Sequence, residues 1–122
     1  MGISYSTDNG VTWTPRTVSS TPDLDKNHLW VDNNATSAFS GRLYNVWTNF
    51  RTGNPNVNDI ELSRSTDGGV TWSSPINLSN AVNAGSHNQG VNVQTGPNGE
   101  VYVTWSIYDS WPSNEVDRKS VV

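Results

Sequence analysis

Cysteine is absent from the 122-residue chain, and alanine occurs only four times. The first absence excludes disulfides, thiolate zinc sites and cysteine nucleophiles together. The second removes the best helix former. Basic residues are also few, with 7 Lys and Arg against 11 Asp and Glu, a net charge of -4 and no basic run. A nucleic-acid footprint therefore has no place here, and the acidic excess is too mild to imply more than solubility. No apolar stretch approaches the ~20 residues a membrane helix needs, and no charged segment followed by an apolar one opens the chain. The expectation is a chain with no membrane span and no export signal within it.

What is present is as lopsided as what is missing. Asn, Ser and Thr number 16, 16 and 12, which is 44 of 122 residues. Their side chains compete with helical backbone bonding and favour turns and strands, so a helical bundle is disfavoured.

The chain also repeats itself. Residues 6–13 read STDNGVTW and residues 65–72 read STDGGVTW, seven identities in eight at an offset of 59. GRLYNVW at 41–47 and GEVYVTW at 99–105 align at an offset of 58, and LWVD at 29–32 aligns with VNVQ at 91–94 once the next loop shortens. Within one period four strands are expected, at residues 28–32, 42–50, 59–65 and 70–78. Each is rich in Val, Trp, Tyr, Ile or Thr and bounded by Gly, Asn, Asp or Pro. Several short strands per unit at this period point to the four-stranded antiparallel blades of a β-propeller. The expected parse is strands 3 and 4 of one blade (1–18), a full blade (26–78), then strands 1 to 3 of the next (88–122). In the turn between strands 3 and 4, Asp67 accepts backbone N–H groups, Gly69 supplies a positive φ and Trp72 packs back over the blade edge. Asp8, Gly10 and Trp13 repeat the device.

The twice-present S-x-D-x-G-x-T-W string, carried by Ser6, Asp8, Gly10, Thr12 and Trp13 and by Ser65, Asp67, Gly69, Thr71 and Trp72, resembles the Asp-box, or BNR repeat, of the sialidase-like (neuraminidase) superfamily. The resemblance implies an all-β fold, about two blades of a six-bladed propeller. A whole ring at this period needs ~350 residues. This chain is thus expected to be a segment, or else one of three two-blade copies that close a ring as a homo-oligomer. The box is a structural turn shared by hydrolases and non-catalytic proteins, so it does not carry chemistry by itself.

Strand alternation places the two box turns and the turns around Gly41 and Gly99 on one face, and the remaining loops on the other. In the sialidase-like family the pocket lies on that other face. There the resemblance implies a substrate clamp of three arginines, a tyrosine nucleophile relayed by a glutamate, and an aspartate acid/base. Asp25, Arg51, Tyr108 and Glu115 are the catalytic candidates by position. The F-R-I-P-type motif is missing and only Arg51 and Arg118 fall near that face, so catalysis by this chain alone is not expected. Asp25 and Asp32 are too far apart on an extended segment to share a proton. Asp32 is expected to start the strand 1–2 turn.

Ligand-binding candidates are Trp111, Lys26, His28, His87, Asn88 and Asp109 on the same face, and Trp30 on strand 1. His28 and His87 fall at nearly equivalent blade positions, yet a metal needs a further ligand, so no metal and no cofactor is expected. Trp13 pairs with Trp72 and Trp47 with Trp105 at the repeat offsets, which marks those four as blade packing. Trp30, aligned opposite Asn92, and Trp111 have no repeat partner. An exposed Trp beside Asp, Asn and Tyr suits a carbohydrate platform, and the competing role is a cover for the blade core. The resulting expectation is a secreted or cell-surface propeller segment that binds or hydrolyses glycans, sialylated ones included. The alternative is a non-catalytic protein-interaction propeller or a structural repeat fragment.

Overall fold

Nine strands, β1 Gly2–Tyr5, β2 Thr14–Thr17, β3 Leu24–Val31, β4 Leu43–Asn49, β5 Asp59–Ser65, β6 Ile76–Asn77, β7 His87–Thr95, β8 Val101–Tyr108 and β9 Asp117–Val121, make up almost all the regular structure of the described residues. They come from a computed structural model that describes residues 1–51 and 57–108, together with the backbone of 117–121. The one helix among the described residues, α1, is the single turn Asn80–Asn83. The fold is all-β, as composition and strand patterning require. Among the described residues the strands form three separate antiparallel sheets, β1-β2, β3-β4-β5-β6 and β7-β8-β9, none closed on itself. Every pairing joins consecutive strands, so each sheet is a meander.

Side-chain alternation decides which faces are dry. In the last sheet Val91, Val93, Val103, Trp105 and Ile107 are buried, whereas Asn92, Gln94, Tyr102 and Thr104 are exposed. This is the pattern of an antiparallel sheet with one wet face. Its dry face packs on Tyr44, Val46, Ile60 and Leu62 of the middle sheet, with Trp30, Leu78 and Val101 at the margin. In the middle sheet β4 is buried on both faces. Tyr44 and Val46 point to the last sheet, while Asn45 and Trp47 point the other way. There Asn45 Nδ2 lies 3.3 Å from the Sδ of Met1, the residue before β1. The middle and last sheets therefore each turn the face that bears Trp47 or Trp105 toward the sheet before it. Truncating a fully buried side chain such as Trp47 to Ala costs about 3–5 kcal/mol.

The expected third strand coincides with β5, and the second differs from β4 only at its ends. The first strand starts earlier than expected, at Leu24, because Phe50 N–H donates to Asp23 O and the pairing of Leu24 with Asn49 follows. The fourth strand shrinks to two residues. Residues 66–72 are consumed by the preceding turn, and Pro75 has no N–H to give the ladder. Ser73 N–H still reaches Arg64 O and Leu78 N–H reaches Ile60 O, so the edge is tied at both ends.

Candidate functional site

Antiparallel connectivity sorts the loops by end. β3, β5 and β7 begin, and β4, β6 and β8 finish, at one end of the middle and last sheets. At the opposite end lie the two S-x-D-x-G-x-T-W turns and the turns that close with Gly41 and Gly99. Contacts between sheets hold both ends in line. At the turn end Asn34 Nδ2 donates to Pro97 O. Gly99 nests so tightly there that a Cβ on it would lie 2.5 Å from Phe39 Cδ2 and Ser37 Oγ.

The two repeated turns have the same internal bonds. In the second, Ser65 Oγ donates to Asp67 Oδ1 at 2.8 Å and accepts Gly69 N–H at 2.9 Å. Asp67 accepts Thr71 N–H at 2.9 Å and the Thr71 hydroxyl at 2.5 Å, and the Trp72 indole donates to Gly69 O at 3.1 Å. In the first, Ser6, Asp8, Gly10, Thr12 and Trp13 repeat every one of these contacts between 2.6 and 3.0 Å. The Thr hydroxyl, then the Thr N–H and the Ser hydroxyl, hold both carboxyls down at about 2. Gly10 and Gly69 take φ of 86° and 89°, where a side chain is strained.

A buried polar cluster occupies the loop end, made of Asn58, Asp59, Ser79, His87, Asn88 and Gln89. Asn88 is its centre. Its main-chain N–H donates to Asn58 Oδ1. Its Nδ2 donates to Asn58 O at 2.7 Å, and its Oδ1 accepts the Trp105 indole N–H at 2.9 Å. Ser79 Oγ accepts Ile60 N–H at 3.1 Å, and Arg51 pairs with buried Asp59 while its guanidinium stays half in water. The His87 ring meets Phe50 and Tyr108 edge-on, with centroids 6.5 and 6.2 Å away. Burial pushes the His87 pKa below its ordinary 6.5.

Of the catalytic candidates, Arg51 and Tyr108 border this cluster. Asp25 stands apart on exposed backbone, where its carboxylate accepts Lys26 N–H at 2.7 Å. Lys26 has a φ of 52° and sits in a β-bulge between Asp25 and His28. Glu115, Asp109 and Trp111 lie outside the described residues. Trp30 is half-buried, and its indole donates to Thr95 Oγ1 at 3.0 Å across the two sheets. Asp32 is fully buried and does start the β3–β4 turn, taking Ser37 Oγ at 2.7 Å and Asn34 N–H at 3.1 Å.

The ladder register corrects two alignments. A matching bulge separates Gln89 from Asn92 in β7. His28 pairs Val46 and Asn92 pairs Thr104, and the 58-residue offset that superposes Trp47 on Trp105 superposes those partners too. His28 thus corresponds to Asn92, and Trp30 to Gln94. His87 is at the strand start instead, while His28 is mid-sheet with its Nδ1 accepting Val93 N–H at 3.1 Å. The two imidazoles are not equivalent, because the β7–β8 turn is six residues shorter than the β3–β4 turn, which sets β7 against β3 at an offset of 64 on both sides of the shared bulge.

Sequence reasoning did not single out Asn58, whose bonds span 29 and 30 residues and leave no local pattern. A shallow groove over the first sheet, lined by Gly2, Ile3, Ser4, Pro15, Arg16 and Thr17, lies away from the cluster. There Arg16 stacks 5.4 Å over the Tyr5 ring. Among the described residues no group of three or more His, Cys, Asp or Glu is placed to hold a metal, and no helix is long and apolar enough to cross a membrane. No family model, curated protein or solved structure matches the chain.

Proposed function

We propose that the chain is a segment of a sialidase-like Asp-box propeller whose parent is secreted or displayed at the cell surface, and that its loop end contributes to glycan binding. The observation that carries the reading is the S-x-D-x-G-x-T-W turn. It occurs twice with the same hydrogen bonds, each time joining two adjacent antiparallel strands. The three stacked meanders are compatible with blades, the middle one having all four strands.

Catalysis is not assigned to the chain itself. Of the arginines with described side chains, Arg16 folds onto Tyr5, Arg42 sits 4.2 Å over the Phe39 ring, and Arg64 is exposed along β5. That leaves Arg51 at the loop end, and it is committed to Asp59. One arginine does not clamp a carboxylate from three sides. A fluorogenic sialoside should therefore stay intact with this chain, and turnover that depends on Tyr108 would overturn the non-catalytic reading.

Binding is tested on a glycan array. The expected result is retention of a defined glycan subset, weakened by Trp111→Ala with the melting temperature unchanged. An array with no retained glycan would contradict the reading and leave the protein-interaction propeller.

A further inference from the structure

Two amide groups fix the state of the His87 ring. Its Nε2 lies 3.2 Å from Asn58 Nδ2 and 2.9 Å from Gln89 Nε2. Both amide nitrogens are donors, so Nε2 is the acceptor, and the neutral ring carries its proton on Nδ1. Gln89 can turn its oxygen toward the ring. Asn58 cannot, because its Oδ1 already takes the main-chain N–H of Asn88 and its own carbonyl takes Asn88 Nδ2. The residue is only 3% exposed. It joins the approach to β5 in the middle sheet to the start of β7 in the last.

We infer that His87 is an acid-sensitive clasp between the loop ends of the middle and last sheets. Proton uptake at Nε2 sets an N–H against the Asn58 donor and buries a charge between the Phe50 and Tyr108 rings. The cheapest relief is separation of Asn58 from β7, which also removes the two bonds of Asn88 to Asn58. Among the described residues, the charged and titratable groups around the cluster include Asp59, already paired with Arg51, from the middle sheet and its preceding loop, and the Tyr108 phenol from β8. β7 itself adds no other ionisable side chain. The inference stands on this geometry alone and is independent of the glycan reading.

The direction of the effect follows from the neutral, buried ring. Since the folded state holds His87 below 6.5, the unfolded chain binds the proton more readily. The stability it contributes is present above pH 6.5 and is lost as pH falls toward the depressed value. Within that window the folding constant drops by up to ~tenfold per pH unit.

Trp105 provides the readout, since its indole N–H is bonded to Asn88 Oδ1. The test is a pH series of NMR spectra on the 122-residue protein, following both histidine rings and the Trp105 indole, with unfolding midpoints measured in parallel. The expected result is a His87 titration below 6.5 with the Trp105 resonance moving in step with His87 and not with His28. In His87→Gln, whose side-chain oxygen still accepts from Asn58, the stability step should vanish. A His87 that titrates at or above 6.5, or a Trp105 signal indifferent to it, overturns the clasp. So does a folded His87→Gln that keeps the step. If that variant does not fold, the wild-type titration decides alone.

Discussion

The turn at residues 6–13 and the turn at residues 65–72 share their internal hydrogen bonds and differ in what surrounds them. In the second, Ser65 and Gly69 are buried, because Ile3 of the first sheet packs against the turn, so close that a Cβ on Gly69 would sit 3.1 Å from Ile3 Cδ1. In the first, Gly10 is exposed, and Trp13 is 62% exposed while Trp72 is half-buried. Both carboxylates are nevertheless held at about 2 by the same three side-chain and backbone donors. The difference teaches that the motif builds its own conformation from bonds spanning two to four residues. Burial comes afterwards from the neighbouring sheet and adds stability without altering the turn.

Substitutions at matched positions should separate the local from the tertiary share. The largest loss is expected in Gly69→Ala, with a smaller one in Gly10→Ala. Both force a side chain into the left-handed region at about 1–2 kcal/mol. Gly69→Ala must also displace Ile3, for a total of about 2–3 kcal/mol. Chemical denaturation of the two variants measures the gap, and equal losses would show that the first sheet does not cover the second turn.

Ser65→Ala comes next. It strands the buried Gly69 N–H at about 1–3 kcal/mol, whereas water replaces the lost bond in Ser6→Ala. The smallest effects are expected at the tryptophans. Trp72→Ala should lower the melting temperature by a few degrees, and Trp13→Ala by less, because most of the Trp13 ring is already in water. A Trp13→Ala loss as large as that of Trp72→Ala would mean that the exposed ring has a partner in solution.

The same division explains which features can be read from the sequence. The two turns were legible because Ser, Asp, Gly, Thr and Trp meet within eight residues, and β5 was legible because its alternation is bounded by an Asn-rich loop and the turn. The bulges at Lys26 and Gly90 were not, since a positive φ at a lysine has no compositional signal. Nor was the six-residue difference between the β3–β4 and β7–β8 turns, and without it His28 seemed to align with His87, and Trp30 with Asn92. Trp30 looked free for ligand because no repeat partner packed with it. Its partner is Thr95, which is 65 residues away in the next sheet. The polar cluster around Asn88 was half visible, as His87, Asn88, Arg51 and Tyr108 were all marked by their loop position. Asn58, which ties them together, is one asparagine among 16 until the sheets stack.

Acid titration tests most directly the claim that the turn is locally determined. Carboxyl pKa values for Asp8 and Asp67, followed by carbon NMR as pH is lowered, should both fall at about 2, well below the ordinary 3.8. Because the shift is downward, the stability these carboxylates contribute is present above pH 3.8 and lost as pH falls through about 2. Matching values for the exposed and the covered turn are the predicted result. A depressed value for Asp67 with Asp8 left near 3.8 would show that the neighbouring sheet, and not the motif, makes the turn.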